Sequence, residues 1–254
     1  MAEETKSIVL PTTKTASTRR DPRQLILYSA PKTGKTTLIS KLDNCLIIDL
    51  EDGSEFVDAM VLKASNLEEL RAIGKAVYDG GRPYDFIAID TISKLEDMVN
   101  PRAIEMYKAT PMGAAFTGSS ILELARGAGY YWLRLAFKEW IQKLGQLTDN
   151  LILIGHLKDT FVDKQGKEVS AKELDLTGKI KIITCADADA IAYLHRGADG
   201  ELLMNFKGSE QLLCGSRCPH LRGQEIKIAD YDEEQNDVVN VRWDLVYPDI
   251  YSKK

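Results

Sequence analysis

The sequence predicts an α/β domain with a mostly parallel central sheet flanked by helices, closed at its C-terminal end by antiparallel strands. Three observations carry this. An apolar strand runs into a glycine-containing loop and then a helix across residues 25–42, LILYSAPKTGKTTLISKL. Two more apolar runs, Cys45–Asp49 and Phe86–Asp90, each end in a carboxylate. Continuous apolar runs of this kind suit parallel strands buried on both faces, and polar residues at their C-terminal ends line the crevice where open α/β sheets bind ligands. From Ala190 onward the pattern changes to short alternating strands joined by turns.

The first stretch follows the phosphate-loop pattern G-x-x-x-x-G-K-[ST], except that Ser29 stands where the first glycine normally sits. The loop, Ser29, Ala30, Pro31, Lys32, Thr33 and Gly34, passes into a helix opened by Lys35, Thr36 and Thr37. Backbone N–H groups of such a loop and helix start point at an anion. Gly34 allows close approach, Lys35 reaches the β- and γ-phosphates, and the Thr36 hydroxyl ligates Mg²⁺.

Composition sets bounds. The 254 residues are 44% hydrophobic and 28% charged, which suits one globular domain with a small appendage. A flexible N-terminal arm is expected over residues 1–23, with a basic end at Arg19, Arg20 and Arg23, and the ATPase-type domain over residues 24–254. No apolar run reaches membrane-spanning length, and MAEETKSIVL is too acidic for a signal peptide. Four scattered cysteines read as reduced thiols, which places the chain in a cytoplasm. The net charge of −5 offers no global basic field for nucleic acid, so any DNA contact must be local.

The remaining elements follow in order. After Cys45–Asp49 comes Leu50-Glu51-Asp52-Gly53; Glu51 is the candidate base, with Asp49 and Asp52 as local competitors. Residues 66–80 have helical spacing with Asn66 as cap. Asp90 ends a Walker B-type strand and is the candidate Mg²⁺-shell carboxylate; Thr91 follows where many ATPases have a glutamate. Residues 95–147 read as mostly helical, with one amphipathic helix presenting Leu133, Phe137, Trp140, Ile141 and Leu144. Tyr130, Tyr131 and Trp132 are either core or, beside Arg126 and Arg134, base-stacking groups. The strand Leu151–Gly155 ends at His156, a candidate γ-phosphate sensor. Residues 158–181 read as a mobile lysine-bearing loop with a small hairpin at most. A hairpin is expected from 190–194 to 202–206, a solvated turn at 230–237 and an edge strand at 238–246. Cys214, Cys218 and His220 supply only three candidate ligands, too few for a zinc reading, and Arg217 is read as a charge offered to a neighbouring subunit's nucleotide.

The phrases YSAPKTGKTT, IIDLEDG, FIAIDTISKLED, GHLKD, LTGKI and CGSRCPHL, spread over residues 24–222, resemble the RecA branch of ATPases, and more closely the phage Sak-type single-strand annealing group related to the recombinases. GHLKD is also similar to a strand end of phage ring helicases. The resemblance implies a RecA-like core using ATP and Mg²⁺. Its site residues would be Lys35 and Thr36 at phosphate and metal, Glu51 as base, Asp90 at metal and His156 as sensor. It implies DNA-binding loops near residues 100–130 and 158–180, a homo-oligomeric ring or filament, single-stranded DNA as partner, and a single-stranded DNA-binding protein beside it. A ring helicase or loader, a nucleotide-binding scaffold and a small-molecule kinase are the rival readings; the absence of arginine from residues 158–181 weighs against a kinase lid.

Overall fold

The computed structural model describes residues 10–164, 167–232, 234–235 and 237–253. The first nine residues of the expected arm, and the side chains of residues 162–169 with Lys164 and Lys167, lie outside that description. Eleven strands among the described residues are β1 Gln24–Ser29, β2 Cys45–Asp49, β3 Met60–Lys63, β4 Phe86–Asp90, β5 Leu151–Lys164, β6 Lys167–Leu174, β7 Ala190–Arg196, β8 Leu202–Asn205, β9 Gly215–Ser216, β10 Glu225–Asp232 and β11 Asp237–Val239. The helices are α1 Lys35–Ser40, α2 Leu67–Asp79, α3 Ile92–Met98, α4 Asn100–Lys108, α5 Gly129–Leu144, α6 Gly178–Asp187 and α7 Pro248–Tyr251.

The strand order is β11-β10-β8-β7-β1-β5-β4-β2-β3, with β6 on β5 and β9 on β7. The pairs β2·β3, β2·β4, β4·β5, β1·β5 and β1·β7 are parallel. The pairs β7·β8, β8·β10 and β10·β11 are antiparallel. This is the mostly parallel central sheet with antiparallel C-terminal strands that the sequence predicts. Strand β5 lies between the phosphate-loop strand and the Asp90 strand, so the ends of β2, β4, β5 and β1 stand side by side.

Two apolar clusters cover the two faces of the sheet. Ile26, Ile48, Ile87 and Leu153 face α2, α3 and α5, whereas Leu25, Leu27, Ile47 and Ile154 face α1 and the C-terminal segment. Burying each such side chain contributes about 1.5–3 kcal/mol. Helix α2 starts where expected: Asn66 accepts from the amides of Glu68 and Glu69. Helix α5 buries Leu133, Phe137, Trp140 and Leu144 as its spacing predicts.

Several expectations need correction. The predicted flexible arm is docked from Arg19 onward: its guanidinium donates to Asn150 Oδ1 at 2.7 Å and Arg20 pairs with Asp249 at 2.8 Å. Buried Asp21 accepts from the amides of Asp249 and Ile250. Residues 158–181 form no loose loop. Leu157 to Lys164 pairs antiparallel with Lys167 to Leu174, making a long ribbon, and α6 follows. Cross-strand pairing of such polar residues is invisible to an apolar-periodicity reading. The turn expected at 230–237 is present but shorter, at Glu234 and Gln235, with β10 and β11 taking its two ends, and 238–246 yields only the end of the three-residue β11 before a 3₁₀ turn at Trp243. Strand β3, short and exposed at the sheet edge, is not anticipated from its brief apolar run, Ala59 to Leu62. Tyr130 and Tyr131, offered as core or as base-stacking groups, are 50% and 49% exposed, so they are not core.

Candidate nucleotide-binding site

Strand β1 ends at Ser29, in register with His156 of β5. The chain then turns back through backbone angles with positive φ at Lys32 and Gly34, 61° and 109°. A side chain at Gly34 would be strained there, which is why glycine caps α1. Lys35 folds across the loop: its ammonium donates to Ser29 Oγ at 3.0 Å and to the Ala30 carbonyl at 3.2 Å. Ser29, the departure from the usual glycine, is fully buried and gives this lysine a hydroxyl acceptor that glycine lacks. Thr33 Oγ1 donates to the Ala30 carbonyl at 2.8 Å and closes the turn.

The carboxylates divide by task. Asp90 Oδ2 accepts from Thr36 Oγ1 at 2.7 Å, bringing together a hydroxyl from α1 and a carboxylate from β4 that stand 54 residues apart in sequence. Asp49 is turned into its own loop, accepting from the amides of Glu51 and Ser54 at 2.9 Å and from the Ser54 hydroxyl. Asp52 pairs with Lys63 at 3.1 Å. Of the three candidates, Asp49 and Glu51 both line the cavity, and Glu51 is the one that reaches across it: Oε1 accepts from Thr91 Oγ1 at 2.6 Å and Oε2 lies 3.0 Å from His156 Nε2. Thr91, joined to Asp90 by a cis peptide bond, is the site residue that sequence reasoning passed over. The only signal for it was its position directly after Asp90.

Charge is concentrated here. Burial pushes the Asp90 carboxyl above its ordinary pKa; the Thr36 hydrogen bond and Lys35 oppose the shift, and Asp49 and Glu51 reinforce it. Burial lowers the Lys35 ammonium, against the pull of Asp90 and Glu51. Burial also raises Asp49, but hydrogen bonds from Ser54, Glu51 and Gly53 outweigh it and leave the group below the usual carboxylate value. A cavity of about 320 Å³ is lined by Lys35, Thr36, Thr37, Glu51, Asp90 and His156. Phe56, 93% exposed, stands at its lip. Two hard oxygen donors, Thr36 Oγ1 and Asp90 Oδ2, together with open loop amides, fit a Mg²⁺-bound triphosphate.

The match to the AAA domain family (AAA_24) runs over residues 21–218, from the start of β1 through every residue of this cavity. The chain belongs to that family. Its phosphate loop and the Asp90 strand are thus parts of an AAA-type domain. No curated protein matches the chain. Among solved structures, a crystal structure of the RadB recombinase is similar, with a TM-score of 0.44 and 12% identity, covering 82% of this chain and 88% of that one.

Two further sequence readings concern residues outside this cavity. Arg217 lies at the opposite end of the sheet, where its amide donates to the Asp189 carbonyl at 2.8 Å just before β7 begins. Cys218 is buried and His220 Nε2 lies 3.2 Å from the Val246 carbonyl; among the described residues no three His, Cys, Asp or Glu side chains gather as a metal centre. Among the described residues no helix is long and apolar enough to cross a membrane.

Proposed function

We propose that this chain is a Mg²⁺-dependent ATPase that binds single-stranded DNA and supports recombination or single-strand annealing in a phage-infected bacterial cell, as a homo-oligomer. The observation that carries the reading is the chain of contacts Thr36–Asp90 and Thr91–Glu51–His156 beside the phosphate loop. Thr36 and Asp90 would hold Mg²⁺, which would neutralise charge on the β- and γ-phosphates. The loop amides and Lys35 bind the phosphates and meet the charge that develops on the γ-phosphoryl oxygens. Glu51 orients the attacking water in line with the γ-phosphate, and the Thr91 hydroxyl and His156 ring fix both of its oxygens in place. His156 also begins the run of β5 that becomes the ribbon, so a shift of its ring on γ-phosphate binding is passed to the ribbon through one continuous strand.

DNA contact is assigned to two regions. The ribbon carries Phe161, 72% exposed, on the same strand as His156. The segment between α4 and α5 leads to exposed Tyr130 and Tyr131, with the Arg134 guanidinium 5.4 Å from the Tyr131 ring. Exposed aromatics with nearby arginine suit stacking on unpaired bases. ATPase rate measured with and without single-stranded DNA, for the parent and Lys35→Ala, tests the reading. The expected result is hydrolysis stimulated by DNA in the parent and absent in the variant. A rate unchanged by any single-stranded DNA, with no retention on it at low salt, refutes the DNA half.

A further inference from the structure

The strand order fixes the direction in which a nucleotide must lie. Glu51 follows β2, Asp90 ends β4 and His156 lies in β5, all on one side of β1. Under the nucleotide reading above, on which this inference rests, the γ-phosphate faces that side. Neighbouring strands are about 4.8 Å apart, and a triphosphate is longer than one such step. The nucleoside therefore leaves over the other side of β1, above the ends of β7 and β8.

That surface carries a built feature. Arg196 ends β7 and Leu202 opens β8. The position a Cβ would take at Gly34 is 3.7 Å from Leu202 Cδ1 and 3.9 Å from Arg196 Nη2, so both side chains adjoin the phosphate loop itself. The Arg196 guanidinium lies 4.5 Å from the centroid of the Tyr231 ring, which β10 contributes. Its Nη1 donates to the Gly200 carbonyl at 3.0 Å, which fixes the plane of the group. Gly200 in turn backs Tyr231: its Cβ position would sit 3.9 Å from Tyr231 Cβ. The result is a flat cationic group, stacked on an aromatic ring and held by a backbone acceptor, on an exposed residue next to the loop. A guanidinium in this state presents a planar face to a planar ligand.

We propose that Arg196, supported by Tyr231, is the floor on which the base of the bound nucleoside triphosphate stacks, with Leu202 against its edge. Stacking accepts any base, so this surface adds affinity for a nucleoside without strict choice among bases.

Calorimetric titration of the full chain with Mg-ATP and with Mg-tripolyphosphate separates the claims. The expected result is that Arg196→Ala and Tyr231→Ala each weaken ATP binding about tenfold and leave tripolyphosphate unchanged. Arg196→Lys, which keeps the charge but not the plane, should lose as much as Arg196→Ala. Equal loss for both ligands would make Arg196 a phosphate contact and overturn the proposal, as would full recovery with lysine or unchanged ATP affinity in the alanine variants. If the parent binds neither ligand, the nucleotide reading itself fails.

Discussion

Strands β2 and β4 are buried at every residue, and β1 at every residue after its first, whereas β7 and β8 alternate buried and half-buried side chains. Strands β1, β2 and β4 have no wet face, and their polar residues other than Gln24 stand at the C-terminal ends, as Ser29, Asp49 and Asp90 do. The β7–β8 hairpin has one wet face and carries polar groups along its length: Tyr193 and His195 stack at 5.4 Å, and His195 Nε2 lies 3.0 Å from Glu225. The first group is thus a frame with chemistry at one edge. The other half is a brace with an open polar face. The two are coupled, since buried Trp243, just beyond β11, donates to the Leu38 carbonyl of α1 at 3.1 Å.

Glu51→Gln strikes the working edge and should have the largest effect. Turnover is expected to fall at least about 100-fold while nucleotide affinity holds, because a positioned base contributes about 10²–10⁴-fold. Retention of full turnover would place the base elsewhere. Next is Ile154→Ala in the frame, expected to cost about 2–5 kcal/mol in denaturant unfolding, with Leu203→Ala on the half-exposed face of β8 costing under about 1 kcal/mol. Equal losses would break the distinction between frame and brace. Trp243→Phe removes the bond to α1 and leaves the Leu38 carbonyl only the longer 3.4 Å bond from the Lys41 amide; about 0.5–1.5 kcal/mol of stability should go, with weaker nucleotide binding alongside. If stability falls and binding does not, the brace does not tune the loop. The smallest effect is expected from Phe161→Ala in the ribbon, which should leave unfolding within about 0.5 kcal/mol and reduce retention on single-stranded DNA roughly fivefold. Unaltered retention would remove this side chain from the DNA surface.

The frame was easy to read from sequence because its strands are continuous apolar runs, and a run needs no knowledge of its neighbours. The brace was harder. Residues 225–232, EIKIADYD, mix charge and apolar groups, and the strand they form was taken in part for a turn. The ribbon was foreseen only as a small hairpin in a mobile loop, because Leu157 to Lys164 owes its extended form to pairing across a turn rather than to an apolar face. Helix α6 was missed too, hidden in a stretch of lysines and glycines.

By itself the sequence determined the phosphate loop, the three carboxylate- or histidine-tipped strands and the order in which they occur, since each is a local pattern of neighbours along the chain. Tertiary structure alone decided that Thr91 and His156 hold Glu51 between them while Asp49 turns into its own loop, and that Arg196 adjoins Gly34. Those facts depend on which strands lie side by side. Strand adjacency is set by non-local packing and hydrogen bonding, and no single stretch of chain records it.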